Sequence, residues 1–191
     1  MGPFDYALGL ISILVGLALA DVAGSLHKLL RQGSAVKWDG RVILSVAVVI
    51  TVITGMWFSV WSVRSDKTVL SFPFYLSFFF EFMVLFLVCA ACLPDDTVEN
   101  RDLGEFYEKN ARYLWSLFAL FQISFFLHWI YFHRHLEPSR VAHQSSTVVV
   151  GAMIVGFLLL AFMRSRWFHY FALVALLGYY LFVYWRATLA A

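Results

Sequence analysis

The feature that most constrains this chain is a succession of long apolar runs, each near the length of a membrane-crossing helix, separated by short polar stretches. A helix rises about 1.5 Å per residue, so about 20 mostly apolar residues are needed to cross the hydrocarbon of a bilayer. Six such runs and their connections take up nearly all of the 191 residues, which leaves no room for a separate soluble domain. Composition points the same way. Hydrophobic residues make up 62% and charged residues 14% of the chain, where a soluble domain usually carries about 25% charged residues. The mean hydropathy is +0.78.

The expected architecture is an all-α integral membrane protein, a bundle of about six transmembrane helices forming a single domain over 1–191. The runs place helices at about 4–30, 41–63, 71–93, 112–132, 146–163 and 167–185. Pro73 suits a first helical turn, where its missing N–H costs nothing. The first run extends well past a signal core, and no basic side chain precedes it, so it reads as a transmembrane helix. Trp38, Trp57, Trp61, Trp115, Trp129, Trp167 and Trp185 all fall near expected helix ends. That is where a half-apolar ring with a wet N–H belongs.

Orientation follows from the basic residues. The side of the first connection, side B, carries nine: Lys28, Arg31, Lys37, Arg41, Arg101, Lys109, Arg112, Arg164 and Arg166. Side A carries five: Arg64, Lys67, Arg134, Arg140 and Arg186. The excess makes side B cytoplasmic, with both termini outside, in a membrane of the bacterial inner-membrane kind. The third connection is acidic, and Leu103, Phe106, Tyr107, Asn110 and Leu114 share one helical face there. A short amphipathic interfacial helix between helices 3 and 4 is expected from that pattern. The net charge of +2 is small and no basic stripe runs along the chain, so nucleic acid is not an expected partner.

Small residues mark where helices can approach closely in lipid. Gly9, Ser12, Gly16, Ala20, Ala23 and Gly24 share a face of helix 1. Thr51, Gly55 and Ser59 do so in helix 2, and Ala152 and Gly156 in helix 5. These faces pack either within one copy or between copies of a homo-oligomer. Beyond the bilayer itself, that is the only partner the chain suggests.

Function must rest on polar groups inside the apolar runs, because a charge in hydrocarbon costs at least about 3 kcal/mol. Glu81, in Phe-Phe-Phe-Glu-Phe-Met, is too deep and too short to reach water. It suits a proton carrier or the lining of a cation path, with Gln122 of helix 4 at similar depth as a partner. Asp21 shares a face with Ser25 and Lys28, and either borders a polar cavity or pairs with that lysine. Ser124, His128, Tyr131 and His135 form a polar face on the side-A half of helix 4. Four of the six histidines lie between His128 and His143. Histidine titrates near neutrality, so this stretch is expected to form a pH-responsive outer mouth.

Other chemistries have thinner support. His133, His135 and His143 with Glu137 are the residues that would hold a divalent metal. Cys89 and Cys92 form a C-x-x-C pair of the kind used in thiol–disulfide exchange, but there is no second cysteine pair to relay electrons. His27 and His169 both lie towards side B, so they could serve as the axial ligands of a single haem b. The run Asp95-Asp96-Thr97-Val98-Glu99 faintly resembles the acidic metal motif of membrane prenyltransferases, which carry two such motifs where this chain has one. It reads as a solvated loop. No cofactor is expected. The sequence therefore points to a small membrane channel or permeation protein. The alternatives are a membrane redox protein and a non-catalytic sensor or subunit.

Overall fold

Helix formation along this chain is decided by apolar runs and ended by a few polar or conformationally special residues. The computed structural model describes residues 3–60, 71–94, 102–133 and 147–185. Among them lie six α-helices: α1 (Pro3–Gln32), α2 (Gly40–Val60), α3 (Phe72–Cys92), α4 (Leu103–His133), α5 (Thr147–Phe162) and α6 (Arg166–Trp185). Neither strands nor cis peptide bonds occur among the described residues. Five of the helices, all but α5, are long and apolar enough to cross a membrane. The fifth has 16 residues and is apolar but shorter.

The helix ends have identifiable causes. Gly33 follows α1 at a φ of +56°, a left-handed conformation that glycine adopts without strain, and a short 3-10 turn then leads away. Asp39 caps α2, its Oδ1 accepting the backbone N–H of Arg41 at 2.7 Å. Pro73 sits in the first turn of α3. Pro94 ends that helix by forcing Leu93 into an extended conformation. Asp102 caps α4, accepting the N–H groups of Gly104 at 2.9 Å and Glu105 at 3.1 Å. Hydroxyls within the apolar helices are satisfied locally: Ser45, Thr51 and Ser59 each donate to the carbonyl four residues back.

The separate interfacial helix expected between α3 and α4 is not what forms. The segment from Leu103 is the first part of α4 itself, one helix of 31 residues. Nothing breaks it, because its single glycine, Gly104, lies in the first turn. Its apolar face turns inward, with Leu103, Tyr107, Ala111 and Leu114 all buried in the core. Loop 1 fastens this extension, as Leu103 N–H donates to the Lys37 carbonyl at 3.0 Å.

The helix α3 packs on α1, α2 and α4. On its other side α4 carries α5, and α2 carries α6. Consecutive in sequence, α5 and α6 meet only slightly. The outer surface is apolar: Phe72, Leu127, Phe162, Phe171 and Phe182 are among the large hydrophobic side chains left exposed.

The small-residue faces divide. Gly55 of α2 lies against Tyr184 of α6, and a Cβ there would sit 2.3 Å from the ring. The α1 ladder faces outward instead, except at half-buried Ser12, whose Oγ accepts the Trp57 indole N–H of α2 at 3.0 Å. Ala20 and Ala23 are exposed, and a Cβ on Gly9, Gly16 or Gly24 would meet nothing within 4 Å. Gly156 of α5 is equally open, and Ala152 is exposed.

Candidate functional site: a buried Glu–His pair

Glu81 is reached through α3 and is fully buried, with 0% of its surface exposed. Its Oε1 lies 2.9 Å from Nδ1 of His128 on α4. Ser77, one turn before Glu81, brings its Oγ to 3.1 Å from the same nitrogen. The Ser77 hydroxyl donates to the Phe74 carbonyl at 2.9 Å. Its oxygen can therefore accept from His128, which puts a hydrogen on Nδ1. That hydrogen is directed better at Ser77 than at Glu81. Neither Glu81 oxygen makes a directed hydrogen bond among the described residues, so the contact with His128 is chiefly electrostatic.

Aromatic rings enclose the pair. The imidazole meets Phe74 edge-on at 4.5 Å between centroids and Phe78 at 5.7 Å. Phe82 continues the cluster one turn on, edge-on to Phe78 at 5.2 Å. Towards side B the next buried side chains of α3 are Phe82, Val84, Leu85 and Val88, followed by Cys89, Ala91 and Cys92.

The arrangement narrows the chemistry. A hydrolytic triad needs the nucleophile and the orienting carboxylate on opposite ring nitrogens. Here Ser77 and Glu81 address the same one. What the site can do is bind a proton on either of two groups, a carboxylate and an imidazole in close electrostatic contact.

The structure brings together two residues that sequence reasoning placed at different levels, Glu81 at a deep constriction and His128 at an outer mouth. The partner of Glu81 is His128, not Gln122, although Gln122 is also buried on α4. Helix arithmetic alone leaves the two about one turn apart in depth. At about 1.5 Å per residue, Glu81 lies roughly 13 Å from the start of α3 and His128 roughly 8 Å from the end of α4, both from side A. Of the other expected residues, Ser124 is half-buried and Tyr131 exposed. The His133 side chain, His135, Glu137 and His143 lie outside what is described. Asp21 is half-buried on α1, close enough to Cys89 to act on it electrostatically. Cys89 and Cys92 are free thiols, both buried, with Cys92 Sγ donating to the Cys89 carbonyl at 3.0 Å. Among the described residues no group of three or more His, Cys, Asp or Glu is arranged to hold a metal ion.

His27 is exposed, whereas His169 is buried with both ring nitrogens engaged. Its Nε2–H donates to the Met163 carbonyl at 2.8 Å, and its Nδ1 accepts from the Tyr107 hydroxyl at 2.8 Å. Trp115 Nε1–H in turn donates to Tyr107 at 3.0 Å. The chain of donors is complete only with a neutral imidazole, and it leaves no nitrogen for an axial bond.

A second polar centre at side B escaped the sequence reading. Arg41 is only 2% exposed. It grips Asp39 through Nε at 3.0 Å and Nη2 at 2.8 Å, and Nη2 also reaches Glu108 at 3.2 Å. Its guanidinium lies 5.0 Å over the Tyr107 ring. Glu108 also receives Arg166 at 2.9 Å. The hydrogen bond from Arg41 holds the Asp39 carboxyl below its ordinary range. The Asp102 carboxyl is also lowered, first by the Glu105 N–H it caps. The only sequence sign was an aspartate two residues before an arginine at a helix start.

No protein-family model matches the chain, nor does any curated protein or solved structure.

Proposed function

We propose that the chain is an integral membrane protein whose six helices all cross the bilayer, and that the Glu81–His128 pair is a proton-binding gate on a permeation path, closed in this conformation. Loops 1–2, 3–4 and 5–6 lie on the cytoplasmic side in this reading. The apolar outer surface supports membrane placement, because soluble proteins rarely expose contiguous apolar patches beyond a few hundred Å². One observation carries the gate: a fully buried carboxylate 2.9 Å from an imidazole, between two helices.

The pair is balanced with one shared proton, as Glu⁻ with His⁺ or as two neutral groups. A second proton leaves a net positive charge among phenylalanines, and loss of the last leaves a net negative one. Either change is costly in a dry interior and favours admitting water. The gate therefore responds to pH from side A, the nearer surface.

The test is flux through proteoliposomes, of protons and of monovalent cations, from pH 5 to pH 8. Wild type should conduct with a pH-dependent rate, and Glu81→Gln and His128→Gln should each abolish that dependence. A second reading is favoured by the run of buried Phe82, Val84, Leu85 and Val88 on α3 towards side B: a pH sensor that does not conduct. It predicts no flux, but a pH-dependent change in tryptophan emission that both variants remove. If both variants behave as wild type in flux and in emission, the pair is purely structural.

A further inference from the structure

We infer that the α5–α6 turn and the adjoining face of α4 hold the phosphate of an anionic lipid headgroup at side B. The inference rests on the membrane placement proposed above but not on the gate. Three arginines converge there. Arg166 reaches Glu108 on α4. Arg112 lies one turn beyond Glu108 on the same face, and its guanidinium stands 5.0 Å over the ring of Phe162. Phe162 ends α5, two residues before Arg164. All three arginines are exposed, and so is Ser165 between the last two.

The local balance is positive. Glu108 has its Oε1 shared between Arg166 and Arg41, and Asp39, paired with Arg41 and within electrostatic reach of Arg166, is the other carboxylate here, so four arginines face two acids. Of the first N–H groups of α6, that of Phe168 is taken by Ser165 Oγ at 3.5 Å, while those of Arg166 and Trp167 open onto the same turn with no acceptor within the helix. Guanidinium forks and helix-start N–H groups together suit a phosphate.

The depth of the turn selects a lipid over a free ion. With 16 residues, α5 spans about 24 Å, against about 30 Å for a hydrocarbon core. A short helix draws its flanks towards the bilayer, which sets Arg164 and Arg166 at headgroup level. Phe162, Met163 and Trp167 are all exposed around them and offer apolar surface to the glycerol and upper acyl chain.

Native mass spectrometry of the detergent-purified protein tests this, with phosphatidylglycerol, phosphatidylcholine and inorganic phosphate as separate probes. Wild type should retain phosphatidylglycerol in preference to phosphatidylcholine. The triple variant Arg112→Gln/Arg164→Gln/Arg166→Gln should lose that preference, by about fivefold for each charge removed. Lys28→Gln/Arg31→Gln, which removes two side-B charges from α1, should retain it. Should the triple variant not fold, Arg164→Gln alone should give the single fivefold step. Equal retention in the turn variants and wild type overturns the site, as does an equal loss in the α1 control. Displacement of phosphatidylglycerol by millimolar phosphate overturns the lipid assignment. A chain that stays in solution without detergent would instead sink the membrane placement, whatever its arginines do.

Discussion

At the residue scale, the Glu81–His128 pair and the contacts of two glycines make opposite kinds of demand on the chain. Removing one member of a buried ionic pair leaves the other unpaired, which typically costs about 3–5 kcal/mol. His128→Ala should therefore destabilise strongly, since Glu81 is fully buried and makes no directed hydrogen bond among the described residues. The double variant Glu81→Leu/His128→Phe removes both groups at similar volume, and such replacements are often neutral or stabilising. Unfolding in mixed detergent should show the double variant at or above wild-type stability. A double variant as weak as His128→Ala would mean that the pair is needed for the fold and is not retained for a task. The glycines are tested the same way. At Gly55 an added methyl would meet the Tyr184 ring at 2.3 Å, so Gly55→Ala should cost about 1–3 kcal/mol as the ring is displaced. Gly16→Ala meets nothing within 4 Å and should stabilise by up to about 1 kcal/mol through helix propensity.

At the scale of elements, the side-B clamp ties loop 1, α2, α4 and α6 together through Asp39, Arg41, Glu108 and Arg166. Its acid sensitivity follows from Asp39. A carboxyl held below its ordinary value contributes stability that is fully present above the unfolded value, about 3.9, and is lost as pH falls through the folded one. The melting temperature in detergent should thus hold steady from pH 7 down to about 5 on account of this group, then drop, and Asp39→Asn should reduce the drop. A drop of equal size in Asp39→Asn would remove the clamp from the acid response.

How much of this was legible beforehand differs by element. The helical, apolar character could be read from run length alone, and the weight of Glu81 from its place among phenylalanines. Its partner could not be read off directly, because the pairing depends on how far α3 slides along α4. Arg41 read only as one of the basic residues of side B, at the start of a helix. Its burial depends on Tyr107, far along the chain, being turned inward by a helix that runs unbroken from Leu103 through His133. The small-residue stripe on α1 was plain, but its outward direction was not, since spacing defines a face and packing decides where the face points.

For the molecule as a whole, the decisive quantity is where its surfaces sit relative to the bilayer, and α6 offers the cleanest measure. Trp167 and Trp185 are the ends of its outward face, 86% and 88% exposed. The rise between them is about 27 Å, close to the thickness of a hydrocarbon core. Tryptophan prefers the headgroup level, so both rings should rest at opposite interfaces if α6 crosses. The intervening Phe171, Val174, Leu181 and Phe182 are exposed as well and would face acyl chains. Variants that keep only Trp167 or only Trp185, with the other tryptophans replaced by phenylalanine, can be placed in vesicles of lipids brominated at graded depths. Quenching should be strongest with bromines near the headgroups for both residues, and each should be reached by an aqueous quencher from one side only, the opposite side for the two. Deep quenching of either ring, or access to both from the same side, would mean that α6 does not span, and the six-crossing arrangement would have to be abandoned with it.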